Sequence, residues 1–332
     1  MDRLLDQARA LSPTRVAWAG QRLAVLIPCY NEAVAIPKVV ADFRTALPGA
    51  TVYVYDNNST DGTTEAARTA GAVVRREMQQ GKGHVIRRGF ADIDADILVL
   101  VDGDDTYDAA AAPAMVARLV AEQLDMVNAL RVSDGDAAAA AAYRRGHRFG
   151  NRVLTGLVQS VFGARIGDML SGYRVFSRRF VKSFPALSSG FEIETEITVH
   201  ALELAMPVAE MPTRYKERPA GTTSKLRTWS DGVRILRTIA VLVRQERPLQ
   251  LFATTALALL LLGLVVGVPV VVEFRQTGLV PRLPSAVLAT GLVLLSFLSL
   301  ACGMILDSVA RGRKEVRRLA YLAIPGADRR TY

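Results

Sequence analysis

Cysteine is scarce: Cys29 and Cys302 are the only two in 332 residues. They are too few and too far apart for a disulfide framework or a cysteine-based metal cluster. No glycine-rich loop follows the first apolar run. Leu23 to Ile27 leads instead into Pro28-Cys29-Tyr30-Asn31-Glu32, which argues against a unit that brings backbone amides to a dinucleotide pyrophosphate. A nucleotide-dependent oxidoreductase is disfavoured with it. There is no basic-aromatic stripe of the kind that binds nucleic acid, and no internal repeat. Met1 to Gly20 is polar and charged with scattered apolar residues. It lacks the apolar core of a secretory signal, so the first half is expected to start and stay in the cytoplasm.

Long uncharged apolar runs are present, and both stand near the C-terminus. They cover about 251–272 and 283–306, and a helix needs roughly 20 apolar residues to cross a hydrocarbon core of about 30 Å. The formal net charge is +9, and the cations cluster beside these runs. Arg234, Arg237, Arg244 and Arg247 precede the first; Arg311, Arg313, Lys314, Arg317 and Arg318 follow the second. The connection holds only Glu273, Arg275 and Arg282. The positive-inside rule then predicts a multi-pass protein of the inner (cytoplasmic) membrane with the catalytic domain and both termini cytoplasmic. Residues 228–248 place apolar and basic residues at helical spacing, as in a juxtamembrane helix lying in the interface.

Between Leu23 and about Met211, short apolar runs alternate with amphipathic stretches. Leu23 to Ile27, Val52 to Tyr55, Ala72 to Arg75, Ile97 to Val101 and Met126 to Leu130 read as strands. Ala33 to Ala46, Asp61 to Thr69, Lys82 to Asp92, Pro113 to Ala121, His147 to Phe162 and Glu192 to Ala205 read as helices. This pattern predicts an α/β fold, a mostly parallel sheet with helices on both faces. Its ligands belong beyond the carboxyl ends of the strands. There the fourth run enters Asp102-Gly103-Asp104-Asp105. Side chains two apart on an extended backbone share a side, and two carboxylates suit Mg²⁺ or Mn²⁺ with phosphate and water completing the shell. An acidic turn is the plainer reading of the same residues.

Four motifs in order resemble glycosyltransferase family 2, whose fold is GT-A: IPCYNE (Ile27 to Glu32), YDNNSTDGT (Tyr55 to Thr63), GKG (Gly81 to Gly83) and LVDGDD (Leu100 to Asp105). The resemblance covers residues 23 to about 227. It implies nucleotide contacts from Pro28, Tyr30, Glu32, Asp56, Asn57, Lys82 and Asp102, with Asn57 standing where the family has a second acid. It also implies a metal on Asp102 and Asp104. Residues 168–176, DMLSGYRVF, and 148–152, RFGNR, resemble the acceptor elements of polyprenyl-phosphate and dolichyl-phosphate sugar transferases. That likeness assigns the acceptor phosphate to Arg148, Arg152, Ser171 and Arg174. Asp168 is a base or an orienting residue. Residues 215–226 resemble the family's late loop over the donor diphosphate, with Arg218 and Lys225 supplying charge; Asp104, Asp168 and Arg218 form the implied catalytic set.

The expectation is a three-part chain: a catalytic domain at 1–227, the juxtamembrane helix at 228–248, and two transmembrane helices at 249–332. It is an inverting hexosyltransferase moving sugar from UDP-hexose or GDP-mannose to a polyprenyl phosphate, with Mg²⁺ or Mn²⁺. Its partners are the nucleotide-sugar donor, the lipid acceptor and the membrane, with self-association open. Transfer to a sugar hydroxyl in a growing glycan, and a non-catalytic membrane scaffold, are the alternatives.

Overall fold

The computed structural model describes residue 18 and residues 20–133, 167–216 and 248–326. The expected helix at 147–162, the juxtamembrane helix and the late loop lie outside them, as do Arg148, Arg152, Arg218 and Lys225. The chain divides into two compact units, one of residues 1–236 with 317–332, the other of residues 237–316.

The first unit is built on seven strands: β1 Leu23–Cys29, β2 Thr51–Asp56, β3 Val73–Arg76, β4 Ile97–Leu100, β5 Met126–Ser133, β6 Arg174–Ser177 and β7 Val208–Tyr215. Their order is β3-β2-β1-β4-β6-β5-β7. All neighbours are parallel except β6, which runs antiparallel to both β4 and β5. The helices are α1 Ile36–Ala46, α2 Thr63–Thr69, α3 Lys82–Asp92, α4 Ala112–Ala121, α5 Arg178–Ser183 and α6 Ile193–Glu203.

The strands bury both faces, so alternation divides their apolar residues between two cores. Leu23, Val25 and Ile27 join Val39, Val40 and Phe43 of α1 and Met115, Val116 and Leu119 of α4. Ala24 and Leu26 join Val85, Ile86 and Phe90 of α3, Phe180 of α5 and Ile193 and Ile197 of α6. Each large side chain so buried contributes about 1.5–3 kcal/mol. The antiparallel β6 has a further consequence. It starts at the edge where β1, β4 and β5 end, so the segment entering it, residues 167–173, lies along that edge.

The second unit is a pair of helices, α7 Pro248–Thr277 and α8 Leu283–Leu322, each long and apolar enough to cross a membrane. Ala256, Gly263 and Val270 are buried on α7, and Ala289, Ser296, Gly303 and Ala310 on α8. The spacing of seven is that of a helical pair wound along one seam. Small side chains bring the backbones close enough for Ser296 Oγ to donate to Ala256 O at 2.7 Å and Ser299 Oγ to Phe252 O at 3.0 Å, as apolar-phase helix pairs commonly do. The last turns of α8 belong to the first unit. There Arg317 pairs with Glu203 at 2.5 Å, and Tyr321 Oη donates to Asp125 at 2.7 Å beneath the Arg179 guanidinium.

Candidate active site

The C-terminal ends of β1, β2, β4 and β5 gather the acidic and polar residues that the sequence singles out. Asp102 follows β4 and is partly exposed; Asp104 is buried and accepts from Thr106 Oγ1 at 2.6 Å. Gly103 lets the chain pass over Cys29, whose Sγ a Cβ would meet at 2.6 Å. Lys82, first residue of α3, places Nζ 2.5 Å from Asp102 Oδ1 and 2.5 Å from Glu194 Oε1. Burial works against the Lys82 charge, but the two carboxylates outweigh it and hold the amine protonated. Burial pushes the Glu194 carboxyl up against the pull of Lys82.

Hydrogen bonds along residues 167–173 fix the segment to this edge. Gly167 N donates to Glu210 Oε2 at 2.7 Å, Asn128 donates to Asp168 O at 2.7 Å, and Gly172 N donates to Tyr107 Oη at 2.8 Å. Gly172 stands so near Asp102 that a Cβ would fall 2.2 Å from Oδ2; only glycine leaves that carboxylate uncovered. Asp168 receives a two-pronged bond from Arg131, at 2.6 and 2.9 Å, and the guanidinium lies over the Tyr215 ring at 5.5 Å. Burial works against the Arg131 charge, and Tyr107 and Asp168 hold it well above the ordinary arginine value.

The loops after β1 and β2 are stitched to each other. Asn31 N donates to Ser59 Oγ at 2.9 Å, Thr60 N to Asn31 Oδ1 at 2.8 Å, Glu32 N to Thr63 Oγ1 at 2.8 Å and Ala33 N to Asp61 Oδ2 at 3.0 Å. Asp56 is buried and accepts from Ser59 N; Pro28 is half-buried, Tyr30 is exposed and Glu32 is buried.

The metal-binding chemistry can be tested on these donors. Asp102 and Asp104 offer two carboxylates, the first left open by Gly172, and no group of three or more His, Cys, Asp or Glu suited to a metal occurs among the described residues. A magnesium-like ion takes its remaining oxygens from a diphosphate and water. The donor set fits such an ion.

The model of the family described as "Glycosyl transferase family 2" matches residues 24–184. Glycosyltransferase AglJ of Haloferax volcanii is 34% identical over 253 residues, 76% of this chain and 82% of the relative. The chain belongs to glycosyl transferase family 2. A dolichyl-phosphate hexose transferase of the same organism is 30% identical over 225 residues, 68% of this chain and 95% of the relative. Among solved structures, glucosyl-3-phosphoglycerate synthase of Mycobacterium tuberculosis with Mg²⁺ and uridine diphosphate aligns with a TM-score of 0.56 at 21% identity, covering 69% of this chain and 80% of that one. That likeness shows the GT-A-like fold.

Within this family 2 chain, three of the expected contact residues are held by protein partners. Arg174 is fully buried. It sits mid-sheet, opposite Leu100 of β4 and Asn128 of β5. Its Nε donates to Ser171 O at 2.9 Å, Nη1 to Thr198 Oγ1 at 2.9 Å, and Nη2 to Met169 O at 2.7 Å and Glu194 O at 3.2 Å. Enclosed in this way, the guanidinium spends its donors on protein and braces residues 167–173 from below. Ser171, buried and turned toward the Tyr173 backbone, is likewise not presented to a ligand. The Asn57 amide donates to Glu77 O and Gln79 O and accepts from Gly81 N, at 3.0, 2.8 and 2.7 Å. It holds the loop before Lys82, and its donors are spent on it. Two residues at the edge went unnoticed in the sequence, Arg131 and Glu194. Arg131 stands near the end of β5, where the strand-end rule points. Glu194 sits in Phe191-Glu192-Ile193-Glu194-Thr195-Glu196, the start of the expected helix from Glu192 to Ala205, where acidic residues read as ordinary first-turn surface charge.

Proposed function

We propose that this family 2 enzyme moves a sugar from a nucleotide-sugar to a polyprenyl phosphate at the cytoplasmic membrane face, with a divalent metal. The observation that carries the reading is the union, in one chain, of a site of this family with two helices able to cross a bilayer. A transferase whose acceptor is soluble has no need of them, whereas anchoring raises the effective concentration of a membrane-confined acceptor. The name of the dolichyl-phosphate hexose transferase relative points the same way.

Mg²⁺ or Mn²⁺ would be held by Asp102 and Asp104 and would neutralise charge on the departing nucleoside diphosphate. Lys82 adds a fixed positive charge beside Asp102, suited to the same leaving group. Tyr30 and Asp56 line the ends of β1 and β2 for the nucleoside. On the acceptor side Arg131 takes the part that the sequence assigned to Arg174. Its Nε and Nη2 are committed to Asp168, and among the described residues nothing accepts from Nη1. A guanidinium fixed in this way is suited to a phosphate. Asp168 then orients Arg131. A phosphate monoester already carries anionic oxygen near neutral pH, its second pKa being about 6, so the attack on the anomeric carbon needs no strong base.

The test is a labelled-sugar assay with full-length protein in detergent, crossing UDP- and GDP-sugars with polyprenyl phosphates and with oligosaccharide acceptors. The reading expects metal-dependent label in an acid-labile, solvent-extractable lipid. Label only in the oligosaccharide would replace it with hydroxyl transfer, and none with any donor would favour the scaffold.

A further inference from the structure

One cation is already built into the site where a metal would bind. The Lys82 side chain is 9% exposed and that of Glu194 8%, while that of Asp102 is 28% exposed. Asp102 is thus the member of the triad that faces outward, and its Oδ1 carries the ammonium. Phe191 closes over the amine, its ring centroid 5.9 Å from Nζ. With two carboxylates and one ammonium the triad carries a net charge of −1, which attracts a divalent ion while one carboxylate oxygen remains occupied.

We propose that Glu194 is a positioning residue that parks Lys82 on Asp102, and that the parked ammonium makes metal binding depend on a nucleoside diphosphate. An ion taking Asp102 displaces Nζ from Oδ1. The ammonium stays tethered to Glu194, and the donor it loses from Asp102 turns to an oxygen of the diphosphate. Without nucleotide, displacement leaves a buried N–H unpaired, a costly state; with nucleotide, that N–H is satisfied. Glu194 therefore keeps Lys82 within reach of both partners. This rests on the metal-dependent reading above and adds the order in which its parts assemble.

Mn²⁺ binding to full-length protein in detergent, read by electron paramagnetic resonance with and without UDP, tests it. Lys82→Met should tighten binding of Mn²⁺ alone by about tenfold or more, since a unit charge at contact distance is removed. The double variant Lys82→Met/Glu194→Gln has the wild-type net charge of −1 but an unoccupied Asp102, and it spares the fold a buried pair of like charges. It should still bind Mn²⁺ alone more tightly than wild type. Glu194→Gln alone should bind Mn²⁺ more weakly than wild type, with or without UDP. If Lys82→Met is no tighter, displacement is refuted; if Lys82→Met is tighter but the double variant returns to wild-type affinity, displacement is refuted and only summed charge matters. Asp102→Asn separates that failure from failure of the metal reading. If Mn²⁺ with UDP binds wild type and not Asp102→Asn, the metal assignment stands whatever Lys82 does. If Asp102→Asn binds as wild type does, the metal assignment and this inference both fall.

Discussion

Replacing Arg174 separates a structural brace from a ligand contact. Arg174→Ala removes five hydrogen bonds from a fully buried guanidinium, a weak one to Met126 Sδ among them, and leaves Met169 O and Ser171 O without the donors they have now. Thr198 Oγ1 keeps its bond to Glu194 O at 3.0 Å, so two carbonyls carry most of the damage. A buried acceptor stripped of its partner costs about 1–3 kcal/mol, and the cavity left by a large side chain adds further cost. The sum is about 4 kcal/mol. For a unit of this size each kcal/mol lowers the melting temperature by about 2–4 °C, so a fall of roughly 10 °C is expected. Arg174→Lys should recover little, because one ammonium cannot reach acceptors on three sides as a planar fork does. Circular dichroism melting of the full chain in detergent measures the shift, alongside KM for donor and acceptor. An Arg174→Ala protein with unchanged melting and a loss confined to the acceptor would refute the brace and restore the phosphate contact.

Three further outcomes are expected. Asp104→Asn, which keeps an oxygen for Thr106, should fold as wild type and lower kcat by about a thousandfold or more if the residue stabilises leaving-group charge; sugar-transfer rates with and without added Mn²⁺ check it. Asn57→Ala should cost about 2–3 kcal/mol through three lost bonds to residues 77–81, and raise KM for the nucleotide-sugar because that loop leads into Lys82; melting and initial rates report both. His200 is buried against Phe180 and Phe184, and burial, with Arg317 nearby, pushes its pKa down from 6.5 to about 3. The unfolded chain therefore binds the extra proton. This contribution is complete above pH 6.5 and is lost at about 1.4 kcal/mol per unit as pH falls; His200→Leu should flatten the melting profile between pH 6.5 and 5, and an unchanged slope would count against it.

The first half of the sheet was legible because β1, β2 and β4 are short apolar runs that end in polar residues. The helices that pack on them have plain apolar stripes. β6 and β7 were not. β6 has four residues and begins with an arginine, and β7 carries Glu210, Pro212 and Arg214, so neither shows an apolar run. The same mismatch explains Arg174 and Glu194. Charge in a sequence signals exposure unless partners supply every bond. Those partners come from residues such as Met169 and Thr198, or Lys82, which only the fold brings together. The strand-end rule placed Asp56, Asp102 and Asp104 correctly at the sheet edge. It had nothing to say about which polar side chains face a ligand and which hold the loops.

The stitching between the loops after β1 and β2 bears on how relatives of this chain should be read. Asn31, Ser59, Asp61 and Thr63 join one loop to the other, and Asn57 fastens the segment leading to Lys82. The most recognisable stretches, IPCYNE and YDNNSTDGT, are therefore largely joinery. A duplicated copy that had lost transfer would still need them to fold, and would go on matching the family for as long as it stayed folded. Loss of activity would first be visible at Lys82 and Asp102, in the two shorter motifs, and at Gly172 and Arg131, which lie outside all four. Sorting working enzymes from silent ones should weigh those four residues above the two longer stretches.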